Sequence, residues 1–172
     1  MTSLPTLDTA LAILEGTPRV LRAMVYGVPE ATLLRAATSD GDAEEWCVRD
    51  VLAHLLVNDP IALERFRRIT VEDHPAIANF DEAAVLAASG ARERPIATLL
   101  DEVARGRLEL VTYLRALSPA QLQRAGEHSA VGPMRGSELL HHLAYHDLTH
   151  VRQVATLLGE PLDEHRGPLR VF

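Results

Sequence analysis

The chain has 172 residues, 47% of them hydrophobic, which is enough for one ordinary domain with a sizeable buried core. Its formal charge of −7, with no cluster of basic side chains along one helix face, argues against a nucleic-acid partner bound through phosphate neutralisation. A single cysteine, Cys47, leaves no intrachain disulfide, and there is neither a basic n-region with a cleavage site nor a run of about 18 apolar residues, so the expectation is a soluble, cytoplasmic protein with no membrane partner. Every basic side chain is arginine, from which no mechanism follows.

The first predicted helix covers roughly Leu7 to Tyr26, where Leu11, Leu14, Val20, Leu21 and Met24 recur at helical spacing. Thr17-Pro18 has the form of an N-cap followed by proline at the first helical position, so a kink or restart is expected there, and Gly27 and Pro29 close the segment. The connector beyond it holds a helical turn around Glu30 to Arg35 and turn chemistry at Ser39-Asp40-Gly41-Asp42. A second long helix is predicted from about Val48 to Ile69, with Val51, Leu52, Leu55, Leu56, Ile61, Leu63 and Phe66 on a broad apolar face that His54 shares. Trp46, just before it, reads as a hydrophobic staple.

Thr70 to Arg94 reads as a long loop broken by Pro75 and Gly90, with a short helix at Asp81 to Ala88. The third helix, about Arg94 to Leu117, places Leu99, Leu100, Val103, Leu108, Leu110, Val111 and Leu114 for burial, and its charges read as a solvated face. After a connector from Ser118 to Gly136, the fourth helix runs from Ser137 to Leu158 with Gly159 as its stop signal. The tail is not periodic. Nothing alternates as a strand with hairpin turns, so the fold class is all-α, a four-helix bundle with long connectors over residues 1–172 and no sheet of three or more strands.

The chemistry lies in the histidines. His142, His146 and His150 follow one another at four-residue spacing, about 40° apart around a helix, so their rings project from one stripe. His54 interrupts the apolar VLAHLLV on the second helix, and two helices that face each other can meet at one metal. Three histidines plus water describe a catalytic mononuclear site, whereas a lone histidine on an apolar face is more often a hydrogen-bonded core residue. HDLTH also has the histidine spacing of the HExxH metalloprotease helix, with Asp147 in place of the catalytic glutamate; aspartate is shorter, and no strand-rich half precedes it to hold a peptide.

Three stretches, EEWCVRDVLAHL, RITVEDHPAIANFDEAA and LLHHLAYHDLTHVRQVATLL, together resemble the DinB-like bundle of metalloenzymes, which also includes bacterial thiol S-transferases. With the helices between them they cover nearly the whole chain. The resemblance implies His54, His146 and His150 as metal ligands and His142 as a neighbour, a rim residue or a hydrogen-bond partner for substrate. The geometry agrees with that demotion, because the His142 ring sits about 80° around the helix from His150. His74, His128, His141 and His165 read as ordinary surface histidines. Cys47 stands where such proteins often carry a serine or threonine N-cap, and a buried or half-buried thiol is expected there rather than a nucleophile.

The resemblance implies a metal-dependent enzyme acting on a small-molecule substrate, by thiol S-transfer or hydrolase-like chemistry, with a low-molecular-weight thiol as a candidate cosubstrate. No catalytic residue is assigned beyond the metal site. Imidazole suits zinc and nickel first, with iron and manganese as alternatives. Asp50, Asn58, Asp59 and Gln153 are candidate partners for the ligands' other ring nitrogens. At an unperturbed histidine pKa of about 6.5, metal loss is expected between roughly pH 7 and 5. The competing reading is a non-catalytic, stress-related bundle that binds a metal or a small ligand. A homodimer is expected from the apolar surface of four helices.

Overall fold

The computed structural model describes residues 5–37, 46–163 and 165–171, and in it four long helices carry the architecture. They are α1 (Pro5–Val25), α3 (Val48–Val71), α5 (Ile96–Arg115) and α7 (Gly136–Asp163), separated by the short helices α2 (Glu30–Leu33), α4 (Glu82–Ser89) and α6 (Pro119–Leu122). The predicted turn at Ser39-Asp40-Gly41-Asp42 lies outside the described residues. No described helix is long and apolar enough to cross a membrane.

α1 packs against α5 and α7, and α3 packs against the same two helices. Around the bundle the order is therefore α1, α5, α3, α7, and two consecutive pairs, α1 with α3 and α5 with α7, lie across diagonals. A diagonal cannot be spanned by a tight turn, which is why the connectors after α1 and α5 are long. The same arrangement sets α3 beside α7, so a histidine from each can reach one point.

Two proline and glycine signals act differently from the sequence expectation. α1 does not restart at Thr17-Pro18; it runs through. Proline leaves the carbonyl four residues earlier without its helical donor, and that carbonyl, Leu14 O, accepts instead from Arg107 Nη1 at 3.1 Å. Thr17 is turned inward, its hydroxyl donating to Ile13 O at 2.9 Å. α7 does not stop at Gly159 but continues to Asp163. Gly159 is absent from the positive-φ glycines, so it supplies no left-handed cap.

The expectation of no three-stranded sheet is also corrected. β1 (Ala76–Ile77), β2 (Ala125–His128) and β3 (Gly132–Arg135) form a small sheet in the order β1-β2-β3, with β1 and β2 parallel and β2 and β3 antiparallel. Strands of two to four residues are too short for an alternation to register. Gly126 is required in it, because a Cβ there would stand 2.8 Å from Pro75 O. β2 contacts α3 and β3 contacts α7, so the sheet lies against both helices.

The core falls into two apolar clusters. One gathers Leu21, Leu52, Leu55, Leu99, Val103 and Val154 with their neighbours, the other Leu14, Phe66, Leu110, Leu114, Leu140 and Leu143 with theirs. Between them in sequence on the four long helices stand Thr17, Asp59, Arg107 and Asp147, all buried. Arg107 donates to both carboxylates, with Nε and Nη2 3.0 Å from Asp59 and further bonds to Asp147. The charges on the third helix are thus not all solvated: Arg107 is 1% exposed and joins α1, α3, α5 and α7.

Candidate metal centre

His54, on α3, and His146 and His150, on α7, offer ring nitrogens that all lie within 4.8 Å of one another. His54 Nε2 is 2.9 Å from His146 Nε2, and His150 Nε2 is 3.1 Å from the same atom. His142 stays outside this cluster, its ring centroid 6.2 Å from that of His146. Four-residue spacing brings His146 and His150 together, and the α3–α7 packing supplies the third ring.

The other ring nitrogens explain which way the lone pairs face. His54 Nδ1 lies 2.5 Å from Glu82 Oε1, an acceptor, so the proton sits on Nδ1. His150 Nδ1 donates to Gln153 Oε1 at 2.8 Å. Both histidines then present bare Nε2 lone pairs to His146, and its single Nε2 can donate to only one of them. Three converging nitrogens of this kind suit a cation. A tetrahedral ion bound at about 2.0–2.1 Å would space its nitrogens by about 3.3 Å, a few tenths of an ångström wider than the contacts here. His146 Nδ1 is buried with no hydrogen-bond partner among the described residues, so the ring's polar contacts are those of Nε2 alone.

Burial keeps the cluster neutral. Desolvation, reinforced by the neighbouring His150 and His146, pushes His54 down to about 3. Desolvation again comes first for His146, with His150, His142 and Arg107 adding to it, and its value also falls to about 3. His150 is lowered by burial as well, against the opposing effects of Gln153, Asp147 and Glu82. Neutral imidazole is the form that ligates a metal.

Trp46 does more than staple a helix. Its ring lies 5.1 Å from that of His54 and stacks at 6.2 Å and 11° on that of His150, forming an apolar wall of the cluster. On the other side a pocket of about 340 Å³ opens between α3, α7 and the sheet, with His146, His142, Asn58 and Glu82 among its lining. Cys47 is 3% exposed, and burial raises its thiol pKa, which removes the nucleophile reading. The carboxylate of Asp50 accepts from its N–H at 2.9 Å and repairs the weak cap.

The profile of the DinB superfamily matches residues 13–154. The chain belongs to the DinB superfamily. Among solved structures this DinB chain is similar to YfiT from Bacillus subtilis, with a TM-score of 0.81 and 22% sequence identity over 94% of this chain and 90% of that one. YfiT is described as "a probable metal-dependent hydrolase with an unusual four-helix bundle topology", and at this identity the likeness establishes the fold. No curated protein gives a significant sequence match.

Several side chains of this DinB bundle sit differently from their sequence reading. His128 is not a surface residue but 7% exposed, at the end of β2, and it lines the pocket. Asp147 is fully buried against Arg107, so it cannot act on a water as the glutamate of a metalloprotease helix does. Asp59 is held by the same arginine and Asp50 by the helix cap, which leaves Asn58 and Gln153 as the anticipated side chains that touch ligand candidates. For Glu82 the sequence carries no sign beyond the short helix expected at Asp81 to Ala88.

Proposed function

We propose that the chain is a metal-dependent enzyme in which His54, His146 and His150 hold one divalent ion, and that it performs hydrolase-like or thiol S-transfer chemistry on a small molecule. The observation that carries this reading is the convergence of three Nε2 atoms with two of the opposite nitrogens tied to Glu82 and Gln153. A carboxylate behind a ligating histidine fixes its tautomer and raises its basicity. Held by His54, His146 and His150, a divalent ion would lower the pKa of a water or thiol and so would supply a nucleophile near neutral pH.

The remaining work falls to the chain. The Trp46 ring beside His54 and His150 and the apolar side chains of the pocket lower the polarity around the cluster, which strengthens charge interactions there. Asn58 Nδ2 donates to His54 O at 3.1 Å and to Glu82 Oε1 at 3.3 Å, holding the carboxylate over the ring. His142, exposed on the pocket rim one turn from His146, is assigned to hydrogen bonding or proton exchange with the substrate. Zinc or nickel suits the all-nitrogen donor set best. A cytoplasmic homodimer is part of the proposal, supported by the exposed Tyr145 and Leu148 on α7 and Val20 on α1; sedimentation at a monomer mass would contradict the dimer.

The test is turnover on a panel of activated esters, amides and alkyl electrophiles, with and without a low-molecular-weight thiol. The proposal expects activity that a chelator abolishes and added metal restores. Metal binding without turnover on any member would favour the non-catalytic binding bundle.

A further inference from the structure

The pocket beside the histidine cluster has a second charged end. Ile61, Phe80, Val131, Met134, Leu139 and Leu143 make its walls apolar, and Arg65 and His128 also line it. His54, Asn58, Ile61 and Arg65 lie at positions i, i+4, i+7 and i+11 of α3, so they form one stripe that runs about 16 Å along the helix from the cluster to Arg65.

Arg65 differs from most of the chain's arginines. Arg22 pairs with Asp101, Arg94 with Glu102 and Arg135 with Glu138, but Arg65 has no carboxylate partner among the described residues. Its guanidinium carbon lies 5.1 Å over the Phe80 ring, and Nη2 donates to Ala78 O at 3.0 Å, so one donor of five is spent and the group is aligned. Burial lowers its pKa, a sign of incomplete hydration. His128 Nδ1 accepts from the N–H of Ala130 at 3.2 Å, which leaves the ring's proton on Nε2 as a donor. Desolvation and then the charge of Arg65 lower the His128 pKa, so the two groups act on one another and His128 is neutral at pH 7.

We propose that Arg65 and the Nε2–H of His128 form a carboxylate subsite, so that the substrates are elongated organic acids whose apolar body lies between this subsite and a reacting group at the histidine cluster. One cation and one neutral donor match a single negative charge; a phosphate dianion would leave charge uncompensated against apolar walls. The inference rests on the reading of the cluster as the reaction centre, but the subsite itself needs no metal.

The experiment is calorimetric titration of the full chain with 4-phenylbutanoate and its neutral isostere 4-phenylbutanamide, run on protein as purified, with its metal content measured, and after chelation. Both forms are expected to bind the carboxylate about tenfold more tightly or better. Arg65→Met should bring the ratio near one without weakening amide binding, and Arg65→Lys should keep part of the preference. Thermal midpoints confirm that each variant is folded. Equal affinity for the two probes, no detectable carboxylate binding, or a preference that survives Arg65→Met would overturn the subsite. A preference intact in protein that never takes up metal would overturn the proposed function and leave the subsite standing.

Discussion

At the scale of single residues, Glu82 sets the orientation of His54. It accepts from Nδ1 at 2.5 Å, while its own side chain is about half exposed, so it arrives from the surface to cover a ring buried in the groove. Replacing it with alanine removes the acceptor without touching a proposed ligand nitrogen, and the expected result is a loss of about 10–100-fold in metal affinity with little change in helicity. Competition with a chromophoric chelator measures it, and unchanged affinity would contradict the role. Protonation supplies a second prediction. His54 and His146 are held at about 3 when folded and return to 6.5 when unfolded, so the unfolded chain binds more protons between those values. The stability of metal-free protein should therefore fall as pH drops from about 6.5 toward 3. Protons also compete with metal for the same lone pairs, so metal content should fall as pH drops. Thermal midpoints and metal content across pH check both; a midpoint slope unchanged in a His54→Ala, His146→Ala double variant would contradict the assignment.

At the scale of elements, Arg107 holds four helices in register. It bonds Asp59 of α3, Asp147 of α7 and the Leu14 carbonyl that Pro18 orphans in α1. Arg107→Met strands two buried carboxylates and a carbonyl, and a loss of about 3–5 kcal/mol in urea unfolding is expected. The triple change Asp59→Leu, Arg107→Met, Asp147→Leu removes the charges together and should recover most of that loss. A triple variant no more stable than Arg107→Met would show that the network stabilises by more than mutual neutralisation. Gly126→Ala should separate β1 from β2, because its Cβ meets Pro75 O, and it should reshape the pocket without altering the three clustered histidines. These elements also show what was legible. Apolar periodicity located the long helices, and four-residue spacing paired His146 with His150. Arg107 could not be told from a solvated charge, because the partners that justify its burial lie on other helices. Pro18 and Gly159 looked like punctuation because their local signals are strong, and tertiary packing overrides them. Glu82 and Arg65 were invisible as pocket residues because only the folded groove brings them beside the histidines.

At the scale of the molecule, the ring order α1, α5, α3, α7 makes the site an outcome of topology. In an up-down bundle with tight turns, α3 would neighbour α1 and α5, and α7 would lie diagonally from it. The long connectors reverse that and seat His54 against His146 and His150. The DinB membership of the chain and its likeness to YfiT place this arrangement in a known fold, while the three-nitrogen convergence is a property of this chain's own side chains. The most direct measurement is elemental analysis of protein purified without a histidine tag, made on wild type and on alanine variants at each histidine of the groove. The account predicts about one divalent transition-metal ion per chain, nearly abolished in His54→Ala, His146→Ala and His150→Ala and retained in His142→Ala. Metal-free wild type, or a loss at His142 equal to that at His54, would contradict it.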